Sequence, residues 1–286
     1  MTNILTWNIQ GGKGTDDIIS IERIANEIQA MGDADVICIQ EISRDLVLDD
    51  STSTPDQIAE LASFFPDYTV IFGAALEVGN TENTSRWEYG NAILSRLPVL
   101  SVFKHSLPQP AEEAMLHMPR QATEITVKTP TGPLRITTTH LEYHSLKQRT
   151  AQVERLYDIH QEIVHNEESP RKTTDPGPYQ EISRPAASVL CGDFNMLPDS
   201  SEYQSMTTAR KYKSLTLHDA WKIINTNQSH DPTCGIFDQA FWKEGPHCRD
   251  FFFVSDNLRK ACNHIKVNTK TDASDHQPLM LSLDLL

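Results

Sequence analysis

Leu190-Cys-Gly-Asp193-Phe-Asn195-Met-Leu-Pro198 closes an apolar run that begins at Ala187. A short apolar run bounded by Gly and Pro is a buried strand followed by a tight loop. Alternate residues of a strand share a side, so Asp193 and Asn195 face one point. An anionic oxygen beside a neutral amide suits holding an attacking water or a metal-bound phosphate. An Asx-turn is the purely structural use of the same pair. Other strand ends in the chain decide between the two.

A residue with chemical use stands where an apolar strand begins or ends at Asn8, Glu41, His140, Asp250 and the Asp275/His276 pair. Strand mouths are where α/β enzymes assemble sites, because the sheet holds the groups rigidly and the loops leave room. Oxygen donors from Asn, Glu and Asp suit Mg²⁺, with Mn²⁺ as the alternative. Asp275 beside His276 offers a carboxylate to orient an imidazole as general base. His140 is placed to donate to a phosphate oxygen as charge accumulates there. A Ser-His-Asp hydrolase would use similar residues, but there is no Gly-x-Ser-x-Gly elbow, and Ser274 lies too close to His276 in sequence to be its nucleophile. Gly11-Gly12-x-Gly14 follows a strand yet lacks the Lys-Ser/Thr of a phosphate loop.

The 286 residues can bury a large core and are read as one domain, 1–286. A net charge of −14 and a pI near 5.2 argue against bulk binding of duplex nucleic acid, which calls for a basic face. An acidic chain still binds phosphate esters when divalent cations supply the positive charge. The five cysteines (Cys38, Cys191, Cys234, Cys248 and Cys262) are scattered without CxxC spacing, so reduced thiols are expected. The N-terminus runs straight into a strand, and no apolar stretch approaches membrane-spanning length. The expectation is a cytoplasmic protein with no membrane insertion and no evident protein partner.

In chain order, strands are expected at Asn3 to Ile9, Asp35 to Glu41, Tyr68 to Ala75 and Tyr89 to Arg96. A hairpin joins Met118–Lys128 to Leu134–Thr139. Later strands are read at Arg249 to Ser255, Ile265 to Thr269 and Leu279 to Leu285. Helices are expected from Ile18 to Met31 with an Asp16 or Asp17 cap, from Pro55 to Phe65, from Leu146 to about His165 and from Glu202 to Arg210. Asp49 to Thr54, Glu77 to Glu88 and Asn166 to Pro185 read as polar excursions.

Thr6-Trp-Asn8, Ile39-Gln-Glu41, Gly90-Asn-Ala-Ile-Leu-Ser-Arg96, Thr139-His140-Leu, Gly192-Asp-Phe-Asn195, Arg249-Asp250 and Ser274-Asp-His276 follow one another in the order of a known family. The set resembles the endonuclease/exonuclease/phosphatase superfamily and spans essentially the whole chain. That resemblance implies a four-layer α/β/β/α sandwich, two mixed sheets face to face with helices outside. It implies a metal-dependent phosphoesterase in which Glu41 is the principal metal ligand, supported by Asn8, with Asp275 a second metal-side carboxylate. Asp193 would position or activate the water, Asn195 hold the scissile phosphate and His140 contact it. His276 would be base or phosphate-neutralising partner, oriented by Asp250; whether His276 or Asp193 takes the proton stays open. Asn91, Tyr143 and Arg149 are candidate substrate contacts. The run Glu142-Tyr143-His144 with Gln148-Arg149 is distinctive, without chemistry of its own. A phosphodiester in small or single-stranded nucleic acid is the first substrate class, and a phosphomonoester or lipid headgroup the second. A non-catalytic phosphate-binding module is the alternative of another kind.

Overall fold

The computed structural model describes residues 1–46, 54–79, 86–169, 175–209 and 212–285. They form two six-stranded sheets. The first runs β11 (Cys262–Val267), β12 (Leu279–Leu283), β1 (Thr2–Asn8), β2 (Val36–Arg44), β4 (Arg86–Ser95), β3 (Thr69–Gly79). The second runs β5 (Val99–Ser106), β6 (Gln121–Thr129), β7 (Gly132–His140), β8 (Ser188–Asp193), β10 (Asp250–Ser255), β9 (Leu217–Asp219). In both, the two central strands are parallel, β1 with β2 and β7 with β8, and every outer pairing is antiparallel.

Strand parity explains the layers. On β1 and β2, Ile4, Val36 and Cys38 point into a core shared with Ile125, Ile136, Val189, Cys191 and Phe252 of the second sheet. Their neighbours Leu5, Trp7, Ile37 and Ile39 point the other way, against Ile21, Ile24, Ala25 and Ile28 of α1 (Ile21–Ala30) and Ile58 and Leu61 of α2 (Gln57–Ser63). On the second sheet Leu190, Phe251 and Phe253 turn outward onto Val153 and Leu156 of α3 (Leu146–Glu168) and Tyr203 and Met206 of α4 (Ser201–Thr207). Both faces of the central strands are covered, which is why they read as continuous apolar runs. Each fully buried Ile, Leu or Phe contributes about 1.5–3 kcal/mol relative to exposure. A fifth helix, α5 (Ala220–Ile224), follows β9.

Several element ends differ from the sequence reading. Ser20, not Asp16 or Asp17, caps α1, its hydroxyl accepting from the Arg23 amide at 3.1 Å. Asp16 instead takes the Arg23 guanidinium and the Ile18 amide, holding the loop ahead of the cap. β3 extends to Gly79 and β4 opens at Arg86, so much of the polar stretch from Glu77 is ladder. β5 has no counterpart in the sequence reading; as an edge strand it alternates half-buried and exposed residues and lacks a long apolar run. α3 continues to Glu168, into the expected excursion from Asn166. The loop expected at Asp49 to Thr54 lies almost wholly outside the described residues.

One buried polar contact between α3 and the second sheet sets an acid limit. The His160 Nδ1 atom accepts from the Arg135 guanidinium at 3.0 Å, while Nε2 donates to the Ser214 carbonyl at 3.3 Å. Burial, with the Arg135 charge adding to it, lowers His160 to about 4. The unfolded chain therefore binds this proton first as pH falls below about 6.5, and stability drains away until about pH 4. The expected loss through this group is about 3 kcal/mol. Urea unfolding of wild type and His160→Gln between pH 7.5 and 4.5 checks it: the wild type should be the steeper, and parallel curves would exclude the effect.

Candidate active site

The same parity that builds the core carries polar groups to one end of it. Inward positions of β7 and β8 continue from Ile136 and Val189 to His140 and Asp193, which are register partners; Asp250 at the start of β10 pairs with Asp193 on the other side. Facing them, β1 ends inward at Asn8, beside Gln40 of β2. Gln40 bonds Thr6 at 3.0 Å and, across the sandwich, Thr138 at 2.7 Å, tying the two rows together.

Simple alternation would send Glu41 outward onto α1. A β-bulge prevents this: the register of β2 with β4 shifts between Ile39 and Ile42, and Glu41 takes a left-handed φ of 57°. The extra residue turns Glu41 to the same side as Gln40, and Ile42 returns to the outer core. Asn195 also has a left-handed backbone, φ 49°. Such conformations in non-glycine residues concentrate at functional sites. Between them, Gly192 at φ 135° lets β8 lie against β7; a Cβ there would sit 2.0 Å from the Thr139 carbonyl oxygen.

The resulting constellation is close-knit. The Asn8 amide donates to Glu41 Oε1 at 2.9 Å and to Asp193 Oδ2 at 3.0 Å. Nε2 of His140 lies 3.8 Å from Glu41 and 3.5 Å from Asp193, and Nε2 of His276 lies 3.7 Å from Asp193. Asp193 Oδ1 accepts from the Asn195 amide at 2.9 Å. His276 Nδ1 donates to Asp250 Oδ2 at 2.8 Å, and Thr233 donates to the same oxygen at 2.6 Å. The loop bearing His276 is pinned to β1 by Ser274, which donates to the Asn8 carbonyl, and by the Trp7 indole, which donates to the His276 carbonyl.

Electrostatics divide the groups. Burial works to raise Asp193, but His276, His140 and the Asn8 amide hold it below the ordinary carboxylate value. Burial raises Glu41, and the charge of Asp275 adds to it. Burial also raises Asp275, although His276 and the Trp242 indole pull the other way. Burial, aided by the Arg120 cation, lowers His140 to about 3, so its imidazole is neutral. Burial works to lower His276, yet Asp250, Asp193 and Asp275 lift it well above the usual histidine range. The site thus holds one neutral and one cationic imidazole.

This donor set fits a divalent cation. Glu41, Asp193 and Asp275 gather negative charge; burial is the main cause of the rise in Glu41 and Asp275, and neighbouring carboxylates add to it. Asp193, Asp250 and His276 also offer ligand atoms within 4.8 Å of one another. Asp250 and His276 are already bonded to each other, however, so the face of Glu41, whose side chain is 24% exposed, is the more accessible.

The structure revises several expected contacts. Asp275 does not orient His276 but accepts from the Trp242 indole at 3.3 Å; Asp250 orients it, as the family resemblance implied. Both N–H groups of the Asn195 side chain are engaged, by His140 Nε2 at 3.1 Å and the Leu141 carbonyl at 3.0 Å, so contact with a phosphate requires it to turn. Asn91 is buried and reaches across the sandwich to the Gln121 carbonyl at 3.3 Å. Arg149 is committed to Glu202 at 2.7 Å and to the Glu142 and Tyr143 carbonyls, so it braces the loop after β7 instead of facing the site. Buried Glu142 binds Arg120 and the His144 amide. The distinctive Glu142 to Arg149 run is therefore scaffolding for His140 and Tyr143.

Tyr143 is joined by residues not singled out from sequence. Its ring lies 5.9 Å from Trp242 and 6.1 Å from Phe241, and Trp242 meets His276 edge-on at 5.6 Å. Arg249 lies over both the Tyr143 and Trp242 rings, at 5.4 and 4.9 Å, and donates to the Asn195 carbonyl. Burial, with the Glu41 charge beside it, raises the Tyr89 hydroxyl well above its ordinary value. Arg249 belongs to the quoted Arg249-Asp250 motif and Tyr89 borders another; Phe241 and Trp242 sit in an irregular loop that gave no signal.

The profile of the Endonuclease/Exonuclease/phosphatase family matches residues 5–276. The chain belongs to that family. Membership makes it a hydrolytic phosphoesterase. Solved structures sharing the fold include an endonuclease/exonuclease/phosphatase from Beutenbergia cavernae (20% identity, TM-score 0.68, covering 99% of this chain and 71% of that one). A mannosyl-6-phosphatase from Bacteroides thetaiotaomicron is 18% identical with a TM-score of 0.66, covering 99% of both chains. A truncated TDP2 from Caenorhabditis elegans is 18% identical with a TM-score of 0.62, covering 99% of this chain and 96% of that one. A comparison with curated protein sequences gives no match. Among the described residues, no helix of this family member is long and apolar enough to cross a membrane, and all five cysteines are free.

Proposed function

We propose that the protein is a Mg²⁺-dependent phosphodiesterase acting on small or single-stranded nucleic acid. The observation that carries the reading is the meeting of Glu41, Asn8 and Asp193 with one neutral and one cationic imidazole at the end of the sandwich. Glu41 would hold the ion, supported by Asn8 and with Asp275 on the same side. Bound there, the ion supplies Lewis acidity toward a phosphoryl oxygen and offsets its charge. Asp193, ionised and held by Asn8 and Asn195, orients the attacking water. His276, cationic and fixed by Asp250, neutralises charge that accumulates on the phosphoryl oxygens. His140, locked by Asn195, lines the same phosphate pocket.

The Tyr143 and Phe241 rings with Arg249 support a base-bearing substrate, since bases stack on such faces whatever their sequence, and buried Trp242 packs behind them. Phe241 is 57% exposed. The net charge of −14 disfavours duplex DNA. A phosphomonoester is the second reading, favoured by the mannosyl-6-phosphatase among the structural relatives.

A substrate panel tests both: bis-p-nitrophenyl phosphate, p-nitrophenyl phosphate, mannose 6-phosphate, single-stranded DNA, RNA and abasic duplex, each with Mg²⁺, Mn²⁺ or EDTA. Turnover of the diester and of single strands should require the metal and return when Mg²⁺ is restored. Hydrolysis unchanged in EDTA contradicts the reading. Turnover confined to monoesters selects the second.

A further inference from the structure

Beside Asp250 lies a cavity of about 10 Å³, room for a single water. Asp219, Trp221, His230, Thr233 and Phe251 share its lining with Asp250. Two buried polar atoms among these residues have no hydrogen-bond partner, Asp250 Oδ1 and His230 Nδ1. Oδ1 is the oxygen of Asp250 that His276 and Thr233 do not use.

The chemistry of the two atoms dictates what belongs between them. His230 Nε2 lies 2.6 Å from Asp219 Oδ2, and a carboxylate only accepts, so Nε2 carries a proton; in the tautomer protonated there alone, Nδ1 is a lone-pair acceptor. Asp250 Oδ1 is an acceptor as well. Two acceptors cannot bond each other, whereas a water has a hydrogen for each. The His230 ring is held firmly: Trp221 stacks on it at 5.7 Å and 24°, and Phe251 meets it edge-on at 5.4 Å. Asp219 is fixed in turn by the Tyr203 hydroxyl at 2.7 Å and the Trp221 amide at 2.8 Å. The His230 side chain is 4% exposed.

We propose that His230 is a positioning residue for the Asp250–His276 pair, acting through one buried water that donates to His230 Nδ1 and to Asp250 Oδ1. With both carboxylate oxygens held, the plane of Asp250 is fixed, and so is the direction in which His276 presents Nε2. Only the kinetic consequence rests on the phosphodiesterase reading.

A high-resolution crystal structure of the wild-type protein should contain an ordered water within about 3.2 Å of both atoms. NMR of the metal-free protein should show the His276 Nδ1 proton resonance moving in His230→Leu. In turnover of bis-p-nitrophenyl phosphate, His230→Leu should lower kcat about 10- to 100-fold and leave KM within about twofold, and His230→Gln, which keeps an acceptor, should recover much of the loss. A dry cavity in the wild type, or a His276 resonance unmoved by His230→Leu, overturns the proposal. If His230→Leu does not fold, the wild-type density alone decides. A wild type that hydrolyses no ester sinks the functional reading and leaves the crystallographic and NMR results to judge the water.

Discussion

Glu41→Gln is expected to lower kcat/KM for a phosphodiester by about 10³-fold, a loss near 4 kcal/mol of transition-state stabilisation. The exchange keeps shape and the Asn8 contact but removes the charge that would hold the ion. Its effect on stability should have the opposite sign. Burial and the Asp275 charge raise Glu41 in the fold above its unfolded value. For an acid with a raised folded pKa, ionisation opposes folding: the cost is present above the folded pKa and vanishes below the unfolded one. Near neutral pH without metal, Glu41→Gln should therefore melt no lower than wild type. Saturating Mg²⁺ should raise the wild-type Tm, by about 2.7 kcal/mol of added stability at 100 times Kd, and leave the variant unmoved. Calorimetry with and without Mg²⁺, beside the kinetics, reads all three. A variant that keeps its activity, or one stabilised by Mg²⁺ as the wild type is, removes Glu41 from the metal site.

Asp250→Asn should lower kcat about 10²- to 10⁴-fold with little change in KM, and His276→Ala should fall in the same range. A neutral amide cannot sustain a cationic imidazole as the buried carboxylate does, and the tautomer His276 adopts is set by what Nδ1 faces. The equivalent exchange in a Ser-His-Asp triad costs about 10⁴. Because Asp250 acts through His276, the double variant should be little worse than the worse single one. Losses that multiply would mean the two residues act separately, despite their 2.8 Å bond.

Strand positions and the residues at strand ends were readable because a doubly covered strand must be apolar at nearly every position, so a polar residue at its mouth stands out. Asn8, His140, Asp193, Asp250 and His276 were found that way, and the structure brings them together. Glu41 was found too, though for an incomplete reason: alternation alone points it to the wrong face, and a bulge with a left-handed residue brings it back. Arg149 looked like a phosphate contact because a cation near a site has two uses. Its choice of Glu202 depends on a helix 53 positions away in sequence.

By itself, the sequence determined which strands are doubly covered and which chemical groups end them, since these follow from local periodicity and side-chain type. Only the tertiary structure decided that Asp275 bonds the Trp242 indole and not His276, that Tyr143 and Trp242 flank Arg249, and that His230 and Asp250 line one small cavity. Those are contacts between segments far apart in the chain, and hydrogen-bond direction and ring packing are fixed only once two sheets have closed on a common core.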